Sequence, residues 1–511
     1  MGTSVFLSRF MGLLRDKVIS YYYGASPETD IYFASFAIPD FINYLLAGGY
    51  FSITLIPLMT KFFDQDAEDG WKFFSSAFWW VVITICALTT LAWIFAGHLS
   101  SIAAPGFAAQ ERERLTEFLR IILPAQACFL PGACFTAILF MRRQFSIPAL
   151  TPLVYNGCII LGGVIFVKIN PLGGMDGFLW GVLSGAALGS LLLPLLAVKA
   201  GGLRLRFVLR HAGLKKFVLL ALPLMLGQSI VVLDEQFLRI FGSLGPEGSI
   251  SLLNYARRLM MVPVGVVAQA AGVASYPFLA SLAAKGDKAG VDSTVNKALL
   301  TSLAVIIPLS LWMMAASTPA MRLIFEQGRF SAVSTNNSAI LLVIMLCATL
   351  FWVIQQVLGR GFYAHQNTLT PVLIGSAATL ISLPLYIFLG RNYGAAGVAF
   401  AGVMAMLAYN LILAWRWNIH FGAAALHNVV QRIALLILLS APCALLAFLA
   451  TLLTGHMLAA FPLLGAAAGL AASLGVFGLS YLALCKKLAP AIWNECMGIL
   501  KRRGKPAENK A

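Results

Sequence analysis

Residues 8–16 read Ser8-Arg9-Phe10-Met11-Gly12-Leu13-Leu14-Arg15-Asp16, and the stretch runs on through Gly24 and Thr29-Asp30 to Ile38-Pro39-Asp40. Its flanks are apolar, yet it carries Arg9, Arg15 and Lys17 together with Asp16, Glu28, Asp30 and Asp40. A charge at the centre of a bilayer costs between ~2.5 and ~17 kcal/mol, depending on how far it reaches water. A chain keeps such charges where they face a wet cavity or pair with one another. The stretch therefore predicts a polar chamber inside a membrane protein, and its arginines predict that the chamber holds an anion.

The rest of the chain supports the membrane setting. Of 511 residues, 60% are hydrophobic and 11% charged, whereas soluble domains carry about a quarter charged. The formal net charge of +16, from 36 Lys+Arg against 20 Asp+Glu, fits cytoplasmic loops under the positive-inside rule. No Lys/Arg-rich soluble domain is present to read nucleic acid. Most of the eight cysteines sit inside apolar runs, and no C-x-x-C occurs, so neither a zinc site nor a redox pair is supported and no metal or cofactor is expected. The N-terminus lacks a basic region before its apolar run, and Arg9 and Arg15 interrupt that run, which argues against a cleavable signal.

Runs long enough to cross ~30 Å of hydrocarbon recur along the chain. Six precede a basic connector: 3–23, 31–60, 73–96, 115–140, 148–167 and 177–198. The connector carries Lys199, Arg204, Arg206, Arg210, Lys215 and Lys216. Six more follow, at 217–241, 250–282, 298–316, 339–363, 371–389 and 397–417, and two close the chain, at 429–453 and 457–485. The expected fold is an all-α polytopic membrane protein of about fourteen helices. Its lobes would be 1–200 and 201–420, six helices each, with two additional helices in 421–490 and a cytoplasmic tail, 491–511, disordered after Lys501. The halves echo one another: Asp16 precedes Gly24 as Asp234 precedes Gly242, and Ile56-Pro57 matches Tyr276-Pro277. Such repeats are common in transporters, with the site near the midplane between them. About 23 basic residues fall on the side of the termini and about 7 opposite, which puts both termini in the cytoplasm. Segment 107–119, mixing acids and arginines with apolar residues, predicts a helix lying on the outer surface. Lys17 and Arg239, near helix ends, are expected to snorkel.

Arg9 and Asp16, seven apart, share nearly one helix face, and Gly12 between the arginines allows a bend. Arginine suits a diphosphate, since its planar fork offers paired donors and never deprotonates. Arg258 could supply a third cation from the second half, with Asp16 and Asp30 holding the arginines. A structural ion-pair network is the competing reading. Asp30 could also cap a helix after the loop Ser26-Pro27-Glu28-Thr29, and one of Arg257 and Arg258, about 100° apart, could face headgroups. Asp234 with Glu235 leaves a cation site conceivable, although 371–389 offers no acid or amide to complete it. His365 reads as a cytoplasmic loop residue. No P-loop, H-E-x-x-H or G-x-S-x-G occurs, so the chain carries no common ATPase, metalloprotease or hydrolase signature.

Several of these residues form a pattern. Ser8-Arg9-x-x-Gly12-x-x-Arg15-Asp16, Thr29-Asp30, Ile38-Pro39, Phe325-x-x-Gly328-x-Phe330 and Gly361-Phe362-Tyr363-Ala364-x-Gln366-x-x-x-Thr370-Pro371 resemble the MurJ/MviN family. The resemblance spans nearly the whole chain. It implies two six-helix lobes around a central cavity, with the last two helices forming a groove for a lipid tail. It implies a flippase in the bacterial inner membrane, not an enzyme, that carries lipid II, the undecaprenyl-pyrophosphate-linked peptidoglycan precursor, from the inner to the outer leaflet by alternating access. Membrane lipids and cell-wall synthesis proteins would be its partners. By motif, Arg9, Arg15, Asp16, Asp30 and Arg258 match cavity residues of the family. The chain departs from the pattern at Asn43, Tyr44, Gly48, Arg257, His365 and Asn367, and Asp40 adds an acid; Arg257 could replace a lost cavity arginine. These departures leave open another polyprenyl-linked oligosaccharide, and a drug/cation antiporter of the same superfamily remains an alternative. So do a polyprenyl-phosphate transferase using the acids at 64–69 and a scaffold in cell-wall assembly.

Overall fold

Helices account for the regular structure among the described residues, because a backbone in hydrocarbon must bond to itself within each crossing. The computed structural model describes residues 2–47, 50–171, 173–231, 233–367, 369–421, 424–490 and 492–493. In chain order the helices are α1 Gly2–Tyr23, α2 Pro27–Ala34, α3 Ala37–Ala47, α4 Tyr50–Gln65, α5 Ala67–Ile94, α6 Ala96–Ala103 and α7 Ala109–Ile122. After a 3-10 turn come α8 Gln126–Met141, α9 Ser146–Ile169 and α10 Asp176–Gly185, and after a π-helical segment α11 Leu193–Ala200. Then follow α12 Ala212–Val231, α13 Leu233–Gly242, α14 Ser249–Ala284, α15 Lys288–Ala315, α16 Ser317–Phe325 and α17 Ala332–Leu346. The last are α18 Thr349–Ala364, α19 Leu369–Phe421, α20 Ala424–Met457 and α21 Pro462–Leu488.

Among the described residues, nine helical segments are long and apolar enough to span a bilayer. One, the 52-residue Leu369–His420, contains two of the expected runs. They meet at Gly394, whose φ of 56° and ψ of −138° no L-residue adopts comfortably. The remaining expected runs correspond to α1, α2–α4, α12–α13 and α14, so the architecture is consistent with fourteen crossings. Residues 48–49 and the tail from 494 lie outside the described residues, and with them the readings made for Gly48 and for the tail.

The helix starts follow from short polar caps. Ser26 Oγ accepts from Thr29 N at 3.3 Å, with Pro27 at the first helical position of α2. Asp66 caps α5 through the amides of Glu68 and Asp69, Asp287 caps α15 through Gly290, and Ser331 caps α17 through Ser334.

The chain divides into two compact units. The first comprises Met1–Asn254, Gly328–Phe330 and Leu383–Val398; the second comprises Tyr255–Gln327, Ser331–Ser382 and Ala399–Ala511. The first has a core of Leu55, Met59, Phe73, Phe74, Phe78 and Phe135, contributed by α4, α5 and α8. The second packs α15, α18 and α20 around Leu303, Val357, Phe362, Trp417 and Leu436. Many large apolar side chains face outward, among them Leu161, Ile381, Leu438 and Leu479, the arrangement that lipid requires and water penalises.

The segment 107–119, expected to be a helix, contains the start of α7. Helix α7 starts at Ala109 and runs through the 3-10 turn into α8 as one span, Ala109–Met141. Leu115, Phe118, Leu119 and Ile122 are buried, while Glu113, Glu117 and Arg120 on the same helix are exposed.

Candidate functional site

Within the first unit, α1 lies against α9, which brings Arg15 to Asn156. The Arg15 Nε and Nη2 atoms both donate to Asp16 Oδ1, at 3.0 and 2.8 Å, and Nη1 donates to Asn156 Oδ1 at 3.3 Å. The Asn156 amide is aimed by its own Nδ2, which donates to the Pro152 carbonyl at 2.8 Å. Asp16 is buried and the Arg15 side chain is 16% exposed. This is an almost dry ion pair, the case in which removing one partner leaves an expensive uncompensated charge. Helix α1 stays continuous through Gly12; Arg15 turns inward without an interruption there.

The other expected residues separate into groups. Arg9 lies on the exposed face of α1. Arg257 and Arg258 belong to the second unit: Arg257 is half-buried with its guanidinium 6.0 Å from the centre of the Trp352 ring, and Arg258 is exposed. Asp30 is buried and occupied elsewhere. Its Oδ2 accepts from Gly248 N and its Oδ1 from Ser251 N, each at 2.7 Å. It caps a helix, but the helix is α14 rather than its own. A carboxylate on free N–H groups at the positive end of a helix is a strong charge-assisted arrangement.

A second ion-pair centre went unpredicted. Arg239 on α13 was expected to snorkel; instead it is buried. Its Nη1 donates to Asp40 Oδ2 at 2.6 Å and to Gln236 Oε1 at 3.2 Å, and its Nη2 to Glu235 Oε1 at 3.0 Å. Three acceptors hold the guanidinium inside, so it has no need of headgroup water. The side chain of Asp234, beside this cluster in sequence, lies outside the described residues. A spacing signal existed, since Glu235 and Arg239 stand four apart on one helix. Asp40, 199 positions away, carried none.

At the loops of the first unit the connections close on one another. Arg114 joins Glu28, Asp176 and Glu117 at 3.0, 2.6 and 2.8 Å. Gly106 N donates to Ser243 Oγ at 3.0 Å, and Arg329 N donates to the Tyr21 carbonyl at 2.9 Å. A cavity of about 1030 Å³ opens here, lined by Glu28, Asp30, Arg114, Glu117, Ser243 and Glu247. At α5, Glu68 pairs with Arg206 and Lys72, and Asp69 with His211. The acids at 64–69 thus include a helix cap and ion-pair partners for the connector. His365 follows α18 in a short connection, where burial, then the positive charge of Lys288, pushes its imidazole below the usual value. Among the described residues no group of His, Cys, Asp and Glu side chains could hold a metal ion.

The comparisons with known proteins agree with this architecture. A family described as Lipid II flippase MurJ matches residues 19–468. The chain is similar to a probable lipid II flippase MurJ of Rhizobium meliloti, 26% identical over 432 residues, covering 83% of this chain and 80% of that protein. It is similar to the lipid II flippase MurJ of Burkholderia cenocepacia, 27% identical over 394 residues, covering 75% and 76%. Among solved structures it matches "Lipid II flippase MurJ, inward closed conformation" with a TM-score of 0.78 and 24% identity over 95% of this chain and 99% of that one. An inward-facing multidrug resistance MATE family transporter matches with a TM-score of 0.66 and 16% identity, over 84% and 95%. These likenesses identify the fold.

Proposed function

The chain belongs to the lipid II flippase MurJ family, and from that premise we propose that it moves lipid II from the inner to the outer leaflet by alternating access. It is a multi-pass protein of the bacterial inner membrane whose substrate is lipid-linked. The reading places both termini in the cytoplasm, on the strength of the loop charges. It assigns 1–200 and 201–420 to two six-helix lobes, 421–490 to two further helices and 491–511 to a cytoplasmic tail. It also takes the chain to be a transporter without catalytic chemistry.

The observation that carries the proposal is the buried Arg15–Asp16–Asn156 arrangement in a membrane helix. Asp16 and Asn156 hold the fork without using all five of its N–H donors. A diphosphate can displace Asn156, the neutral partner, at little electrostatic loss and gain a charge-assisted contact. Arg9, Arg257 and Arg258 are further binding candidates, with Asp16 orienting Arg15. Asp30 acts in this scheme through α14 rather than on the substrate. Cell-wall synthesis proteins would supply and consume the precursor.

The test is replacement of a depleted lipid II flippase by this protein, with Arg15→Ala beside it. Growth with the wild type and not with the mutant is expected. Failure of the wild type at normal membrane levels would refute lipid II as the substrate and favour another polyprenyl-linked oligosaccharide.

A further inference from the structure

Arg239 is over-supplied with carboxylates and still has a donor to spare. Asp40, Glu235 and Gln236 take its terminal N–H groups, while the buried Nε meets no acceptor among the described residues. Two neighbours share that condition. Gln236 is buried, its Oε1 is used by Arg239, and its Nε2 has no partner. The Tyr32 hydroxyl, on a side chain 1% exposed, has none either. Tyr32 packs edge-on against Phe36 at 5.1 Å, the Arg239 guanidinium stands 6.0 Å from the centre of that same Phe36 ring, and Tyr32 lies within electrostatic reach of both Arg239 and Arg15. Three buried N–H or O–H groups, on Arg239, on its hydrogen-bond partner Gln236 and on Tyr32 beside the same Phe36, therefore lack acceptors among the described residues. Buried donors are normally satisfied, and a ligand that only accepts would complete all three.

We propose that Arg239, with Gln236 and Tyr32, is a second contact for the substrate's diphosphate, and that the diphosphate takes Arg239 from Asp40. This rests on the flippase reading and adds a residue on α13 to the site around Arg15. A diphosphate diester brings two charges and several acceptor oxygens, against one charge from Asp40, so it both outbids the carboxylate and satisfies Nε. The exchange is non-covalent: the Arg239 Nη1 bond to Asp40 Oδ2 breaks and bonds to phosphate oxygens form. The tie between α3 and α13 then lasts only while the site is empty.

Farnesyl diphosphate, titrated calorimetrically into the purified full chain in nanodiscs, tests this. Arg239→Gln should weaken binding by about tenfold or more, the loss of one charged hydrogen bond. Asp40→Asn, which removes the competitor, should tighten it by about tenfold. Arg239→Lys, keeping the charge without the fork, should fall between wild type and Arg239→Gln. If Arg239→Gln melts as the wild type does and binds equally well, while Arg15→Ala binds weakly, this inference fails and the flippase reading stands. If Arg15→Ala also binds like the wild type, or the wild type does not bind, the anion site of the flippase reading fails with it. Should Arg239→Gln not fold, Asp40→Asn decides alone: unchanged or weaker binding overturns the proposal.

Discussion

Replacing Asp30 with alanine removes two hydrogen bonds of 2.7 Å from the first turn of α14 and leaves Gly248 N and Ser251 N without that acceptor. Each orphaned buried donor costs about 1–3 kcal/mol, and a helix cap changed to alanine typically costs ~1. Gly248 N, just ahead of α14, counts as an orphaned donor, and Ser251 N, in its first turn, as the lost cap bond. The local cost is therefore about 2–4 kcal/mol. Asp30→Asn keeps one acceptor and loses the charge, so it should cost about half as much, ~1–2 kcal/mol. Amide hydrogen exchange reads this directly, by fragmenting the labelled peptide that contains both amides. Exchange at Gly248 and Ser251 should rise by about 30- to 900-fold in Asp30→Ala, with Asp30→Asn between. The remote amides of α20 should not change. Rates at Gly248 and Ser251 within about threefold of wild type would refute the cap as the origin of their protection.

Two further outcomes follow. A Cβ on Gly106 would overlap the Ser243 backbone carbonyl, so Gly106→Ala should destabilise the protein by about 1–3 kcal/mol, seen as a lower melting temperature in detergent; an unchanged melt would mean the two connections part easily. His365, held below the usual imidazole value by burial and Lys288, binds fewer protons folded than unfolded. Stability should therefore fall as pH drops through the ordinary imidazole range and level off below the folded value; a His365→Gln variant should lose that dependence, as melting at graded pH would show.

What the sequence disclosed, it disclosed through local pattern. Apolar runs announced the helices, and Arg15 with Asp16 announced a buried pair, because adjacency brings the partners within reach whatever the fold does. Asp30 was legible as a cap but not as the cap of α14, since its partners lie 218 and 221 positions away. Arg239 misled for the same reason: a cation near a helix end snorkels by default, and only the distant Asp40 overrides that default. Segment 107–119 showed its mixed composition but not its partners: Arg114 pairs with Glu28 and Asp176, far away in sequence, while Leu115, Phe118 and Leu119 enter the core.

The basic connector, 199–216, has little slack. The Trp79 and Trp80 indoles donate to the carbonyls of Arg206 and Leu209, each at 2.9 Å, and Ser75 Oγ accepts from Arg206 N at 3.1 Å. A strand of chain stapled at three points has already surrendered its conformational freedom. Its cations stand in a fixed row rather than a fluctuating brush, and any motion that passes along it must first pull on two tryptophans, whose fluorescence would report the tug.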